Sequence, residues 1–207
     1  MGSQTMAMNG SAYMEAVRNR RTIHNLGKDT GVSEERVTAL VKETVLHSPS
    51  EFNAQHARVV ILFGEQHDKL WDLIRGILRE KLSAESIPRQ MHRMDMFLGG
   101  MGTVLFYRDE HVVERLKEKY PQYLADIPVW AEQSSGMLQV MVWTALEAEG
   151  LGASLQHYNP HIDDRVRQEW AIPADWKLVA QMPFGKPMQE PREKAIVPAD
   201  DRVIVFK

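Results

Sequence analysis

From Val129 to Glu149 the chain runs without proline and with Gly136 as its one glycine. On the helix this predicts, Trp130, Met137, Leu138, Val140, Met141, Val142 and Trp143 occupy most faces. A helix that is apolar nearly all round belongs in a core or at a large interface. Any fold for this chain must wrap other elements around it or set it against another surface.

The other elements are shorter. Ser11 is a plausible N-cap for a helix reaching Arg21. A second helix follows Ser33, with Glu34 and Glu35 in its first turn and Pro49 at its end. Arg58–Phe63 is β-branched, short and closed by Gly64, so it reads as a buried strand. Leu70, Leu73, Ile74, Ile77 and Leu78 recur at helical spacing. Residues 83–100 read as a polar, methionine-rich connection. Gly99-Gly100-Met101-Gly102 then makes a turn into a strand at Thr103–Tyr107, whereas a dinucleotide fingerprint needs a helix there. A charged helix over Asp109–Lys119 and a loop marked by Pro121 and Pro128 lead into the long apolar helix.

Strands near Ala153–His157 and Lys177–Met182 flank a short helix at Asp163–Trp170. A proline-rich extension then ends in Arg202-Val203-Ile204-Val205-Phe206, a strand-like segment that must find a sheet edge in its own sheet or in a neighbour's. Five strands and about six helices that do not strictly alternate predict an α+β fold, a mixed sheet with helices on both faces.

At 207 residues this is one domain with a tail: 11–187 as the domain, 188–207 as an extension, and 1–10 as a flexible N-terminus or tag remnant. A net charge of -3 gives no global attraction to nucleic acid or an anionic membrane. No apolar run approaches the ~20 residues that span a bilayer, and the first residues do not read as a secretory signal. The chain has no cysteine, which removes disulfides, thiolate chemistry and iron–sulfur clusters. Redox chemistry would need a bound cofactor, and a reducing cytoplasm is the natural compartment.

Two polar runs stand at helix ends. Arg20-Arg21-Thr22-Ile23-His24 suits a phosphorylated ligand, since guanidinium forks match anionic oxygens; a basic helix end complementing the dipole is the plainer alternative. Ser48-Pro49-Ser50-Glu51-Phe52-Asn53-Ala54-Gln55 follows the second helix. His157 and His161 have metal-like spacing, but Asn159-Pro160 breaks the helix that spacing requires. Trp130 and Trp143 read as core or interface aromatics. Glu132 and Gln133 either line a cofactor cavity or form an interface patch.

Taken in order, RNRRTIH (18–24), HSPSEFNAQ (47–55), GMGTVLFYRDE (100–110), PVWAEQSSGM (128–137), GLGASLQHYNP (150–160) and QMPFGKP (181–187) resemble the FMN-dependent nitroreductase family. The resemblance runs nearly the whole length after residue 11. Within the family it points to the short bacterial and fungal branch related to the yeast fatty-acid-repression nitroreductases. It implies a homodimer whose carboxy-terminal segment crosses to the partner, with two FMN sites, each lined by both chains.

For FMN, the resemblance assigns Arg20, Arg21, Thr22 and His24 to the phosphate and pyrimidine edge. Pro49, Ser50 and Asn53 come from the other subunit, and Leu155, Gln156 and His157 lie by the flavin's N5 edge. Gln55 and Tyr158 face the substrate. In the tail Lys194 matches a phosphate-binding lysine, while Ile196 stands where the family has an arginine; Arg192 and Arg202 are the replacements, with Arg202 favoured. Glu51 stands where serine or alanine is usual and is expected to bring an acid near the anionic ligand. His24 is expected to tune flavin affinity near neutral pH. Arg89 and Arg93 either reach the cofactor or form a solvated basic surface.

The implied activity is ping-pong transfer from NAD(P)H through the flavin to a small aromatic electron acceptor, a nitroaromatic or quinone. The alternative is a flavin-binding regulatory protein with little turnover.

Overall fold

The computed structural model describes residues 10–207. The expectations for the residues before it, and for the Ser11 side chain as an N-cap, lie outside the described residues. Five antiparallel strands form one sheet in the order β1 (Leu26–Gly27), β5 (Trp176–Pro187), β3 (Gly102–Asp109), β2 (Ala57–Phe63), with β4 (Gly152–Ala153) also pairing β5.

Strand alternation splits the core in two. Leu105, Tyr107 and Leu178 face α3 (Gly64–Lys81), α4 (Ile87–Leu98) and α7 (Asp163–Glu169), where Trp71, Ile74, Met94, Phe97 and Val166 are buried. Val104, Phe106, Ala180, Met182 and Phe184 face α2 (Glu34–His47) and α6 (Ile127–Ala148), against Val37, Val41, Leu138, Val142 and Leu146. The helices α1 (Gly10–Asn19) and α5 (Glu110–Lys119) also pack along α6.

Side chains cap α2 and α5: Ser33 accepts from the Arg36 amide and Asp109 from the Val112 amide. The long apolar helix is buried along one side only. Ile127, Ala131, Leu138, Val142 and Leu146 enter the core, while Val129, Met137 and Val140 stay 41–54% exposed.

Two expectations need correction. Residues 83–100 are not a connection: α4 buries Met94 and Phe97 and packs Met91 and Leu98 against the core. The strand expected at 153–157 is two residues long, followed by one bridge between Gln156 and Gln181. Opposite that gap stands Pro183, which has no N–H to donate and offers only its carbonyl, to the Ser154 amide at 3.3 Å. The terminal segment Arg202–Phe206 forms no strand. A 3-10 turn at Ala199–Asp201 precedes it, and Val203, Ile204, Val205 and Phe206 are 61–92% exposed because no strand among the described residues lies alongside to pair them.

Candidate functional site

The segment after α1 is fastened at three points. Arg20 lays its guanidinium over the Trp143 ring at 4.4 Å. Arg21 donates to the Arg192 backbone carbonyl. Thr22 bridges in parallel to Ala153, and the Ile23 amide donates to the Ala153 carbonyl at 2.9 Å. The close approach requires glycine next door, since a Cβ at Gly152 would lie 3.0 Å from the Ile23 side chain.

These contacts open a concavity of about 320 Å³ lined by Arg20, Arg21, Thr22 and His24 on one side and by Gln189, Arg192, Glu193 and Lys194 on the other. Four fixed cations face one carboxylate, a donor set suited to a dianion such as a phosphate monoester. Arg192, not the favoured Arg202, joins this group; Arg202 sits exposed beyond the 3-10 turn, and Ile196 is 76% exposed.

His24 is half-buried with its ring edge-on to Phe97, centroids 5.8 Å apart. Burial, then the charges of Arg93 and Arg192, lower its pKa from the ordinary histidine value, so it is neutral at neutral pH. The expected switch near pH 7 is thereby displaced to more acid conditions. Arg93 was left open by the sequence; it lies one helical turn before Phe97 on α4, close enough to bias both His24 and Tyr158.

The second polar run is a tight, strained turn. Phe52, Asn53 and Gln55 take left-handed φ values of 48°, 55° and 52°, an unusual cluster for residues other than glycine. Ser50 holds the turn: its carbonyl accepts from the Asn53 amide at 3.0 Å and its Oγ from the Gln55 amide at 2.9 Å. Arg58 donates to the Gln55 carbonyl at 2.8 Å. Asn53 and Gln55 are thereby held exposed, and Phe52 stacks on Tyr120 at 4.3 Å. Pro49, Ser50 and Gln55 line a smaller concavity of about 160 Å³ with Ser134 at its wall, and it shares no lining residue with the cationic one.

Glu51, expected beside the anionic ligand, points its side chain into the protein. Its carboxylate turns inward, 7% exposed, onto the buried His56, whose Nε2 lies 3.2 Å away, and accepts from Ser134 Oγ at 2.7 Å. Burial opposes the charge, but the His56 and Ser134 hydrogen bonds outweigh it and hold the carboxyl below its usual range. Glu132 is likewise committed elsewhere, to the buried Arg108 at 2.5 Å, while Gln133 is exposed.

The third segment follows β4. Leu155 packs against the α2/α6 core, and Gln156 exchanges backbone hydrogen bonds of 2.7 and 2.9 Å with Gln181. His157 is exposed. Tyr158, expected at the substrate, turns its ring edge toward Trp71 at 5.9 Å, and burial pushes its hydroxyl up to about 12. At least part of this ring is core. His161 lies within a turn at 159–162 and not on a helix with His157, as the Asn-Pro pair suggested.

The chain is thus an α+β protein, an antiparallel sheet flanked by helices, with a cationic cup whose donors match an anion. The sequence profile of the Nitroreductase family matches residues 17–186, and the chain belongs to that family, which places it among oxidoreductases. The nitroreductase FRM2 of Saccharomyces cerevisiae is 35% identical over 187 residues, 89% of this chain and 93% of FRM2. The nitroreductase CinD from Lactococcus lactis, solved with chloramphenicol, superposes with a TM-score of 0.87 at 41% identity, over 94% of this chain and 100% of CinD. CinD solved with 4-nitrophenol gives 0.84 at 43% identity over the same shares. A putative nitroreductase from Desulfovibrio desulfuricans in complex with FMN shares the fold, at 19% identity and a TM-score of 0.67 over 94% of this chain and 96% of that one.

Proposed function

We propose that the protein is an FMN-dependent NAD(P)H oxidoreductase that reduces small aromatic acceptors, nitroaromatics or quinones, as a homodimer in the cytoplasm. The observation that carries this reading is the cationic cup. Arg20, Arg21, Arg192 and Lys194 against Glu193 alone supply the charge that a flavin phosphate requires. Thr22 adds a hydroxyl for a polar ring edge, and His24, neutral, can donate or accept there. Bound FMN would supply hydride acceptance from the nicotinamide and electron delivery to the acceptor, so no side-chain nucleophile is called for.

Dimerisation completes the site in this reading. Pro49, Ser50, Asn53 and Gln55 line or flank a separate concavity in one protomer, which suits residues meant for a partner's cofactor. The open apolar stripe of Val129, Met137 and Val140 on α6 and the uncovered Val203–Phe206 supply surfaces for a second copy to bury. Leu155, Gln156 and His157 follow Ala153, which is bridged to Thr22, and would hold the ring edge of FMN on this reading. The relatives' ligands support the acceptor class, since CinD was solved with 4-nitrophenol.

The visible spectrum tests this. Purified protein should be yellow, bleach with NADH or NADPH, and regain colour on adding a quinone or nitroaromatic. Yellow protein that neither nucleotide reduces would instead establish the flavin-binding regulatory alternative. Colourless protein that cannot be loaded with FMN would overturn both.

A further inference from the structure

We propose that Glu51 is a positioning residue: clamped between His56 and Ser134, it fixes the left-handed turn Phe52–Gln55 and so sets where Ser50, Asn53 and Gln55 meet the cofactor. The inference rests on the FMN reading and adds to it a residue that touches neither cofactor nor substrate.

Three observations combine. First, a turn with three non-glycine residues at φ near +50° is costly and persists only when its surroundings over-determine it. Second, the one buried charge in that turn is Glu51. Its carboxylate accepts from Ser134 Oγ at 2.7 Å and from His56 Nε2 at 3.2 Å, and since a carboxylate only accepts, Nε2 carries the proton. Third, the three partners come from different elements. Glu51 opens the 3-10 turn, His56 immediately precedes β2, and Ser134 lies on α6, its Oγ 2.9 Å from the Trp130 carbonyl but with its one proton given to the closer, charged Glu51 carboxylate. The clamp therefore ties both ends of the turn to the central helix.

The order of contacts excludes a hydrolytic triad. Ser134 donates to the acid and not to the imidazole, so nothing activates its oxygen as a nucleophile. The Glu51 backbone carbonyl meanwhile accepts from the Ala54 amide at 2.9 Å, so one residue anchors the turn by both main chain and side chain.

Glu51→Gln keeps the volume and removes the charge; Ser134→Ala removes one partner and is the milder variant where the first folds poorly. Both should be studied as the full chain. Hydrogen exchange of the Asn53–Gln55 amides should speed up by about tenfold or more as the turn loosens, and the FMN dissociation constant of Glu51→Gln should rise about tenfold, with a smaller rise for Ser134→Ala. A lowered melting temperature with exchange of these amides and FMN affinity both unchanged would reduce the clamp to a packing feature and overturn the proposal. If the wild-type chain itself fails to bind FMN, the functional reading falls separately. The exchange data then decide the clamp alone, and unchanged exchange in both variants refutes it.

Discussion

Arg20 and Trp143 are stacked, guanidinium carbon 4.4 Å from the ring centroid, so a residue of the cationic cup is braced by the central helix. Stacking directs the fork without neutralising it, which a carboxylate partner would do. Arg20→Ala should weaken FMN binding about tenfold and cost about 1 kcal/mol of stability. Arg20→Lys keeps the charge and loses the planar fork, so it should recover only part of the affinity. Flavin titration and thermal melting of both variants check this.

Arg192 and Arg202 are distinguished by position. Arg192 lines the cup beside Lys194, whereas Arg202 follows the exposed 3-10 turn. Arg192→Ala should lower FMN affinity about tenfold and Arg202→Ala by much less. Equal losses would return the tail arginine to the phosphate.

His24 should be silent around neutrality. Burial and the two neighbouring guanidiniums lower its pKa, so it takes up less of a proton between pH 8 and pH 7 than an ordinary histidine. Wild type and His24→Asn should therefore show parallel FMN affinities across that interval, with divergence appearing only at acid pH. Flavin titrations at several pH values measure this.

His67 is the acid-sensitive element of the core. Its Nε2 donates to the Phe97 carbonyl at 3.1 Å and its Nδ1 accepts from Thr103 Oγ1 at 2.8 Å, a neutral tautomer with both nitrogens satisfied. Burial lowers its pKa from 6.5 to about 4. The unfolded chain thus binds this proton first on acidification. The contribution is complete above 6.5 and is lost as pH falls from 6.5 through about 4. Its full extent is on the order of 3 kcal/mol. Melting of wild type against His67→Gln over that interval should show a steeper acid loss in the wild type.

Ile204 and Phe206 are 80% and 92% exposed, and Val140 is 48% exposed. Ile204→Asp and Val140→Asp should each shift the chain toward monomer without unfolding it, because neither side chain supports the protomer's own core. Sedimentation velocity reads the outcome, and FMN occupancy should fall with the dimer fraction.

Much of the fold was legible because its strongest signals are periodic. Leu70–Leu78 declares a helix by spacing, Arg58–Phe63 a strand by its β-branched run and closing Gly64, and Glu34 and Glu35 mark the start of the helix after Ser33. The helix at Ile87–Leu98 carries its period as Ile87, Met91, Met94 and Leu98, but methionines amid Arg89, His92 and Arg93 dilute the hydrophobic signal. The two-residue strand Leu26–Gly27 is too short for any period. At the site, Arg20 and Arg21 could be found from residue type. The inward turn of Glu51 could not, because it depends on His56 and on Ser134 eighty-three residues away. The exchange of Arg202 for Arg192 in the cup has a similar cause: the tail's path over Arg21 is set by a backbone contact that leaves no trace in residue type.

The bridge between Thr22 and Ala153 joins what the chain keeps far apart. Through it, and the Ile23 amide on the Ala153 carbonyl, the Arg20–His24 strip and the loop from Leu155 to His157 are one stiff bracket with glycine at its inner corner. A bracket fixes spacing. The distance between the anion cup and the far loop is a gauge built into the fold, so a ligand longer or shorter than this gauge must be accommodated by the tail or by α4, not by the bracket. On the FMN reading proposed above, that spacing would favour ligands whose phosphate-to-ring length matches it.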